Sequence, residues 1–106
     1  MGEIVAANDQ NFEALVQESV PLIVDFWSPR CAPCKLMEPG LEKIAQDWLH
    51  KVMVVKVNVD DSPKTSSRYF VRTLPTLLFI KGGQVKTQLV GSVNPKRIEQ
   101  VIGEVF

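Results

Sequence analysis

The stretch "DFWSPRCAPCK", residues 25–35, joins the end of an apolar run to the start of a helical pattern. The run "PLIVDFW" (21–27) is almost wholly apolar, which is typical of a central strand that is covered on both faces. Cys31 and Cys34 follow this run at the point where the helical pattern begins. A cysteine pair with this spacing can serve as a metal clamp, as a structural disulfide or as a reversible redox couple.

Five short runs have the composition of β-strands. The last two flank Gly82 and Gly83, and two strand-like runs around a Gly-Gly pair are typical of a tight hairpin. The earlier runs are separated by helical patterns, so they can pair in parallel through crossovers. The five predicted strands are residues 3–5, 21–27, 52–59, 76–80 and 84–90.

Four helical patterns alternate with these strands. A long one follows the cysteines, and Pro39 inside it predicts a kink because proline has no N–H to donate. The predicted helix starts are Asn8 or Asp9, the cysteine pair, Ser62 before Pro63, and Asn94 before Pro95. The order βαβαβαββα predicts an α/β fold in which four helices flank a mixed central sheet of about five strands. The 106 residues fit a single domain, 1–106.

The charge balance narrows the classes of partner. Twelve Lys and Arg offset twelve Asp and Glu, so the chain lacks the basic surplus that nucleic acid or an anionic membrane surface attracts. No apolar run approaches the roughly 20 residues that a membrane helix needs. The first ten residues, "MGEIVAANDQ", do not resemble a signal peptide, so we expect a cytoplasmic protein. In a reducing cytosol a permanent structural disulfide is disfavoured.

A zinc site within one chain is also disfavoured. Such a site needs four ligands, and besides the cysteines the chain offers only one histidine, His50. His50 lies at the far end of the long predicted helix, more than ~20 Å from the cysteines, and we expect it to face solvent. A metal cluster shared between two chains stays open at this stage.

The position of the cysteines favours redox chemistry. In a first helical turn, residues at i and i+3 stand close enough for two sulfurs to bond. The N-terminus of a helix carries unpaired N–H groups and partial positive charge, which stabilise a thiolate. Asp25 is a carboxylate between apolar neighbours of the preceding strand, and burial there would raise its pKa. The alternative is that Asp25 and Lys56 of the next predicted strand both point to solvent at strand edges.

Several separate features of this chain resemble the thioredoxin family. The family has an Asp-Phe-Trp strand, a cysteine pair with proline before the second cysteine, and a later Leu-Pro-Thr. The resemblance covers nearly the whole chain and implies the thioredoxin fold. The matching residues are Asp25, Trp27, Cys31, Pro33, Cys34, Lys35, Pro39, Lys56, Leu74, Pro75, Thr76 and Gly91.

The resemblance implies a reductant of protein disulfides. Cys31 would be the nucleophile that forms a mixed disulfide with the target, and Cys34 would resolve it. The family assigns to the residue that matches Asp25 a proton transfer toward the second cysteine, and we expect Lys56 in the next strand to be its partner. A thioredoxin reductase, either a flavoprotein or a ferredoxin-dependent enzyme, would restore the dithiol. The family pattern predicts a monomer without a cofactor of its own.

The resemblance also implies a binding groove for target chains. Pro75 would be a cis-proline packed against the cysteine pair, and the backbone of Thr73 and Leu74 would pair with a target like an added strand. Gly91 would lie beside this groove and allow a backbone to approach closely. The ring of Trp27 would belong to the same binding surface.

The active-site motif departs from the usual one at three positions. Arg30 replaces a tryptophan, Ala32 replaces a glycine, and Thr73 stands where glycine or serine is common. The guanidinium of Arg30 would lower the pKa of Cys31 if it turned inward. Pro33 matches the reducing members of the family, so the leading function is disulfide reduction. The alternatives are a redox-inactive thioredoxin-fold binding module and an oxidase or isomerase of an oxidising compartment.

Overall fold

The computed structural model describes residues 4–106, so residue 3 of the first predicted strand lies outside the described residues. The element order agrees with the predicted βαβαβαββα pattern. The strands are β1 (Val5–Ala7), β2 (Leu22–Trp27), β3 (Met53–Asn58), β4 (Thr76–Lys81) and β5 (Gln84–Val90). The helices are α1 (Phe12–Val16), α2 (Ala32–Asp47), α3 (Pro63–Arg68) and α4 (Pro95–Val105).

The five strands form one mixed sheet in the order β1-β3-β2-β4-β5. β3 lies between β1 and β2 and is parallel to both, whereas β4 is antiparallel to β2 and to β5. β2 and β3 are therefore internal strands, which explains their nearly continuous apolar sequences. The predicted fold class is confirmed.

The hairpin between β4 and β5 turns on the two glycines that the sequence singled out. Gly82 and Gly83 have φ angles of 61° and 77°, in the left-handed region that glycine enters without steric cost. Lys81 and Gln84 pair directly across the turn. Two central residues with positive φ match the right-handed twist of the flanking strands, so this turn fixes the register of the hairpin.

The sheet separates two hydrophobic cores. Side chains alternate between the two faces of a strand, so Ile23 and Val24 enter different cores. The α2–α4 core lies under those two helices and includes Ile23, Met37, Leu41, Ile44, Leu77, Phe79 and Ile98. The α1 core lies on the opposite face and includes Phe12, Val16, Leu22, Val24, Phe26, Leu78 and Ile80.

Three helix starts were predicted at the right place, but of the two at Ser62 and Asn94 only one is capped as expected. The side chain of Asn94 accepts a hydrogen bond from the backbone N–H of Arg97 at 2.9 Å. Ser62 precedes α3 without capping it through its side chain. The carboxylate of Asp9 instead accepts the backbone N–H groups of Lys64 and Thr65, at 3.1 and 2.8 Å.

The prediction that Asn8 or Asp9 caps α1 is wrong in its detail. α1 begins at Phe12, and Asn11 occupies the N-cap position without a side-chain cap hydrogen bond. Asn8 accepts the N–H groups of Gln10 and Asn11 in the turn before the helix. Because Asn8 accepts the hydrogen bonds of this turn, the carboxylate of Asp9 is available to bind the N–H groups at the start of α3.

α2 is the longest helix, and the cysteine pair lies at its N-terminus. It runs through Pro39, and the kink expected there stays a prediction. At the next residue, a Cβ added to Gly40 would lie 2.9 Å from the ring of Pro95, so glycine allows α4 to begin close against α2. No helix formed by residues 4–106 combines the length and the apolar character that crossing a membrane requires.

Candidate active site

Cys31 and Cys34 form a disulfide at the N-terminus of α2, with their Cα atoms 5.3 Å apart. Cys31 is the N-cap residue and has an extended backbone, whereas Cys34 lies within the first turn. The N–H of Cys34 donates to the Sγ of Cys31 at 3.2 Å. The sulfur of Cys31 therefore occupies the place of a helix cap, where a thiolate would be stabilised by a backbone donor and by the helix dipole.

The two sulfurs differ in accessibility. Cys31 is partly exposed, whereas Cys34 is only 2% exposed. Ala32 and Pro33 between them are exposed. An external disulfide can therefore reach Cys31 but not Cys34, which agrees with the order of attack expected from the resemblance.

The residues around the pair do not form a metal site. His50 is exposed beyond the far end of α2, as predicted. Within residues 4–106, no three His, Cys, Asp or Glu side chains come together as a possible set of metal ligands.

Asp25 is buried in β2, the strand that precedes the cysteine pair, with 4% of its surface exposed. It pairs in register with Lys56 of β3 on one side and with Leu77 of β4 on the other. Among the described residues its Oδ1 is a buried oxygen without a hydrogen-bond partner. Burial raises the pKa of Asp25 to about 7; Lys56 opposes this rise and Glu38 adds to it. The expectation of a buried acid is confirmed, and the alternative of a solvent-facing strand edge is wrong.

Lys56 binds a different carboxylate from the one expected. Its Nζ lies 2.8 Å from Oε2 of Glu38 and 4.3 Å from the centre of the Trp27 ring. Lys56 and Asp25 are neighbours in the sheet, but the hydrogen bond of the ammonium goes to Glu38. The expected pairing is therefore corrected to a group of three charges: Asp25, Lys56 and Glu38.

Glu38 is the residue that the sequence reasoning missed. It lies four residues after Cys34, which is one turn further along α2 and on the same side of the helix. That spacing was visible in the sequence. Its partner on β3, Lys56, could not be identified from the sequence, because that contact depends on how α2 crosses the sheet.

Pro75 and its neighbours, which the resemblance places at the site, are joined by local hydrogen bonds. The Leu74–Pro75 bond is cis, as expected from the resemblance. The hydroxyl of Thr76 donates to the carbonyl of Thr73, and the N–H of Gly91 donates to the carbonyl of Pro75 at 2.8 Å. Gly91 has a φ of 91°, a conformation that a residue with a side chain rarely adopts. These bonds join the segment before β4 to the end of β5.

Arg30 does not turn inward. Its Nη2 forms an ion pair with Oδ1 of Asp60 at 2.9 Å, and its side chain is 79% exposed. The guanidinium is thus held by another carboxylate and screened by water. The inward orientation on which its expected effect on Cys31 depends is therefore not the one observed.

An apolar groove lies along α2. Leu36 follows the pair by two residues and is 81% exposed, which is high for a large apolar side chain. Between α2 and the segment that leads into α4 the groove encloses about 450 Å³. Its lining includes Leu36, Met37, Gly40, Val93 and Pro95. The sequence reasoning did not identify this groove, because it forms between segments about 50 positions apart in the chain.

Comparisons with known proteins agree with this geometry. The family model described as thioredoxin matches residues 3–104. The chain is 41% identical over 105 residues to the thioredoxin of Haemophilus influenzae, and the match covers 98% of each chain. It is 40% identical over 103 residues to thioredoxin 1 of a Nostoc species, covering 96% of each chain. It is 39% identical over 98 residues to the thioredoxin of Alicyclobacillus acidocaldarius, covering 92% of this chain and 93% of that one.

Proposed function

This chain belongs to the thioredoxin family and is a thiol–disulfide oxidoreductase, and from that premise we propose how its residues carry out the reduction of protein disulfides. The observation that supports the proposal best is the asymmetric cysteine pair. A disulfide joins Cys31, which is partly exposed at a helix N-cap, to Cys34, which is buried one turn on. The redox-inactive binding module expected as the alternative would need no such couple.

In the first step the thiolate of Cys31 attacks one sulfur of the target disulfide. A new S–S bond forms between Cys31 and the target, and the second target sulfur leaves as a thiolate that takes a proton from solvent. The helix N-terminus and the N–H of Cys34 stabilise the attacking thiolate.

In the second step Cys34 releases the target. Its thiol gives a proton to the carboxylate of Asp25, and the resulting thiolate attacks the sulfur of Cys31. The mixed disulfide breaks, the target sulfur that was bonded to Cys31 leaves as a thiolate and takes up a proton, and the Cys31–Cys34 disulfide forms. Two electrons have then moved from this protein to the target. A carboxyl with a pKa of about 7 is suited to this exchange, because near neutral pH it is present in both protonation states.

In this proposal the target chain lies along the segment before β4, beside Pro75. We expect the backbone of Thr73 and Leu74 to pair with an extended segment of the target, and Gly91 to leave room for it. Trp27, Arg30, Ala32 and Pro33 border the exposed sulfur. The ion-paired Arg30 thus places a charged side chain at this border, where the family usually has a tryptophan.

A thioredoxin reductase returns the disulfide to the dithiol in this proposal. Chloroplast M-type thioredoxins of maize and Chlamydomonas are among the similar proteins, at 38% and 40% identity. The candidate donors are the two classes that the family resemblance implies, a flavoprotein reductase and a ferredoxin-dependent one. We further propose that the protein works in the cytoplasm as a monomer made of one domain.

Trapping of a mixed disulfide tests the assigned roles. Cys34→Ser leaves the attacking sulfur and removes the resolving one, so we expect it to accumulate adducts with target disulfides through Cys31. Non-reducing gels and peptide mapping of the adducts are the measurement, and Cys31→Ser is the matched control that should form none. Adducts that form equally on both variants, or on Cys34 alone, would contradict the assignment.

A further inference from the structure

Lys56 stands between two carboxylates and forms a hydrogen bond with only one of them. It is the register neighbour of the buried Asp25, yet its Nζ donates to Glu38 at 2.8 Å. The ring of Trp27 lies 4.3 Å from the same nitrogen and fixes its position from another side. The hydrogen bond of the ammonium thus goes to Glu38, and among the described residues Oδ1 of Asp25 has no hydrogen-bond partner.

The surroundings of Asp25 contain few other charges. β3 contributes Lys56, and β4 contributes the apolar Leu77. α2 contributes Glu38 and, once the disulfide is reduced, the thiol of Cys34. α4 faces this side of the sheet with the apolar residues Ile98, Val101 and Ile102. One cation and one further anion therefore determine the electrostatic environment of the buried carboxyl.

We propose that Glu38 is a positioning residue that keeps Asp25 able to hold and exchange a proton near neutral pH, by retaining the Lys56 ammonium in an ion pair. The proposal rests on the proton-transfer role given to Asp25 under the proposed function. It adds Glu38 to Asp25 and Lys56 as a residue that controls proton transfer, and places it on α2, the helix whose N-cap and first turn hold the two catalytic sulfurs.

Two effects of Glu38 act in the same direction. Its negative charge opposes ionisation of Asp25, as a like charge does. Its ion pair also prevents Lys56 from giving Asp25 a full counter-ion. Because Asp25 is buried, interactions of this kind are screened less than they would be in water. Removal of the Glu38 charge should therefore make Asp25 a stronger acid.

A titration of the Asp25 carboxyl carbon by NMR, on the oxidised protein, tests the inference. In Glu38→Gln we expect the midpoint to move down by about one pH unit, because Lys56 gains freedom to turn toward Asp25. In Lys56→Met we expect it to move up. The side chain of Glu38 is 44% exposed, so the glutamine variant should fold normally.

Glu42→Gln is the matched control. It removes the same charge from an exposed position one turn further along α2, outside the group of three charges. Its Asp25 midpoint should equal that of the unmodified protein. If Glu38→Gln and Glu42→Gln both leave the midpoint unchanged, or shift it equally, the inference is overturned.

The rate of disulfide reduction against pH separates this inference from the proposed function. If both hold, the pH profile of Glu38→Gln shifts down with the Asp25 midpoint, and Asp25→Asn loses that part of the profile. If the midpoint shifts and the rate profile does not, the effect of Glu38 on Asp25 stands and the proton-transfer role of Asp25 fails. If Asp25→Asn slows turnover and Glu38→Gln leaves the midpoint in place, the role of Asp25 stands and the inference fails.

Discussion

The charged form of Asp25 lowers the stability of the fold, because few hydrogen bonds or opposite charges stabilise it. Its side chain is buried, one oxygen lacks a hydrogen-bond partner, and the nearest ammonium is paired with Glu38. Such a group costs stability when ionised, since neither water nor a full counter-ion solvates it. The fold keeps this carboxyl in β2, the strand that leads to the cysteine pair, and we expect such a cost of a group that serves the proposed reaction rather than the stability of the chain.

The stability of the oxidised protein should fall as the pH rises through this titration. The pKa of Asp25 is 3.8 in its ordinary state and about 7 in the fold. The native state therefore retains a proton between these values that the unfolded chain has released, and by linkage its stability decreases over that window. The contribution is fully present below about pH 4 and lost above about pH 7, and it amounts to at most about 4 kcal/mol.

Asp25→Asn should remove this dependence. At pH 8 we expect the free energy of unfolding to increase by about 2–4 kcal/mol, and at pH 4 we expect almost no change, because the native carboxyl is already neutral there. Urea unfolding of both oxidised proteins at the two pH values is the measurement. Equal urea midpoints for the two proteins at pH 8 would contradict the cost assigned to the buried charge.

At the scale of elements, α3 depends on a residue that is distant in the chain. The helix has only six residues, too few to be stable by itself, and Ser62 does not cap it. Asp9 binds two N–H groups of its first turn and also the hydroxyl of Thr65, at 2.7 Å. The carboxylate thus connects the turn before α1 to the start of α3.

Asp9→Ala should lower the unfolding midpoint more than Ser62→Ala does, because only the first change leaves helix N–H groups without their acceptor. Slight burial acts to raise the pKa of Asp9, but the hydrogen bonds from Thr65 and Lys64 outweigh it and lower the pKa below its usual value. The contribution of Asp9 should therefore be present above about pH 4 and be lost as the pH falls below it. Thermal unfolding of both variants at pH 7 and pH 3 is the measurement. Equal midpoints at pH 7 would show that the cap is not required.

These elements show what local sequence patterns can predict. The start of α4 was predicted together with its capping residue, because Asn94 acts on an N–H three positions away. The start of α3 was predicted without its true cap, because Asp9 is 55 positions from Lys64. Pro63 indicated where α3 begins, because its fixed φ suits the first helical position. The residue that accepts the N–H groups of that first turn depends on tertiary structure.

The same distinction applies to the active site. The cysteine pair and the burial of Asp25 follow from spacing and apolar neighbours, and both were predicted. The roles of Pro75 and Gly91 entered only through the family resemblance, since a proline before a strand is usually trans. The ion pairs of Lys56 with Glu38 and of Arg30 with Asp60 were missed, because each joins residues from separate elements.

At the scale of the whole molecule, one sheet supports two cores, and residues adjacent in a strand belong to different ones. Ile80 is 1% exposed in the α1 core, and Ile98 is fully buried in the α2–α4 core. The central strands belong to both cores at once. Loss of either core would leave one face of the sheet exposed, so we expect the two to unfold together.

Matched substitutions in the two cores test this cooperativity. Ile80→Val and Ile98→Val each remove one methylene from a closely packed site, and each should lower the free energy of unfolding by about 0.5–1.5 kcal/mol. Because the sheet separates the two sites, the double variant should lose the sum of the two effects within about 0.5 kcal/mol. Urea unfolding followed by circular dichroism and by tryptophan fluorescence is the measurement, and the two signals should give one coincident transition. Separate transitions in either single variant would contradict a shared cooperative unit, because the core that kept its isoleucine would then persist after the other had unfolded.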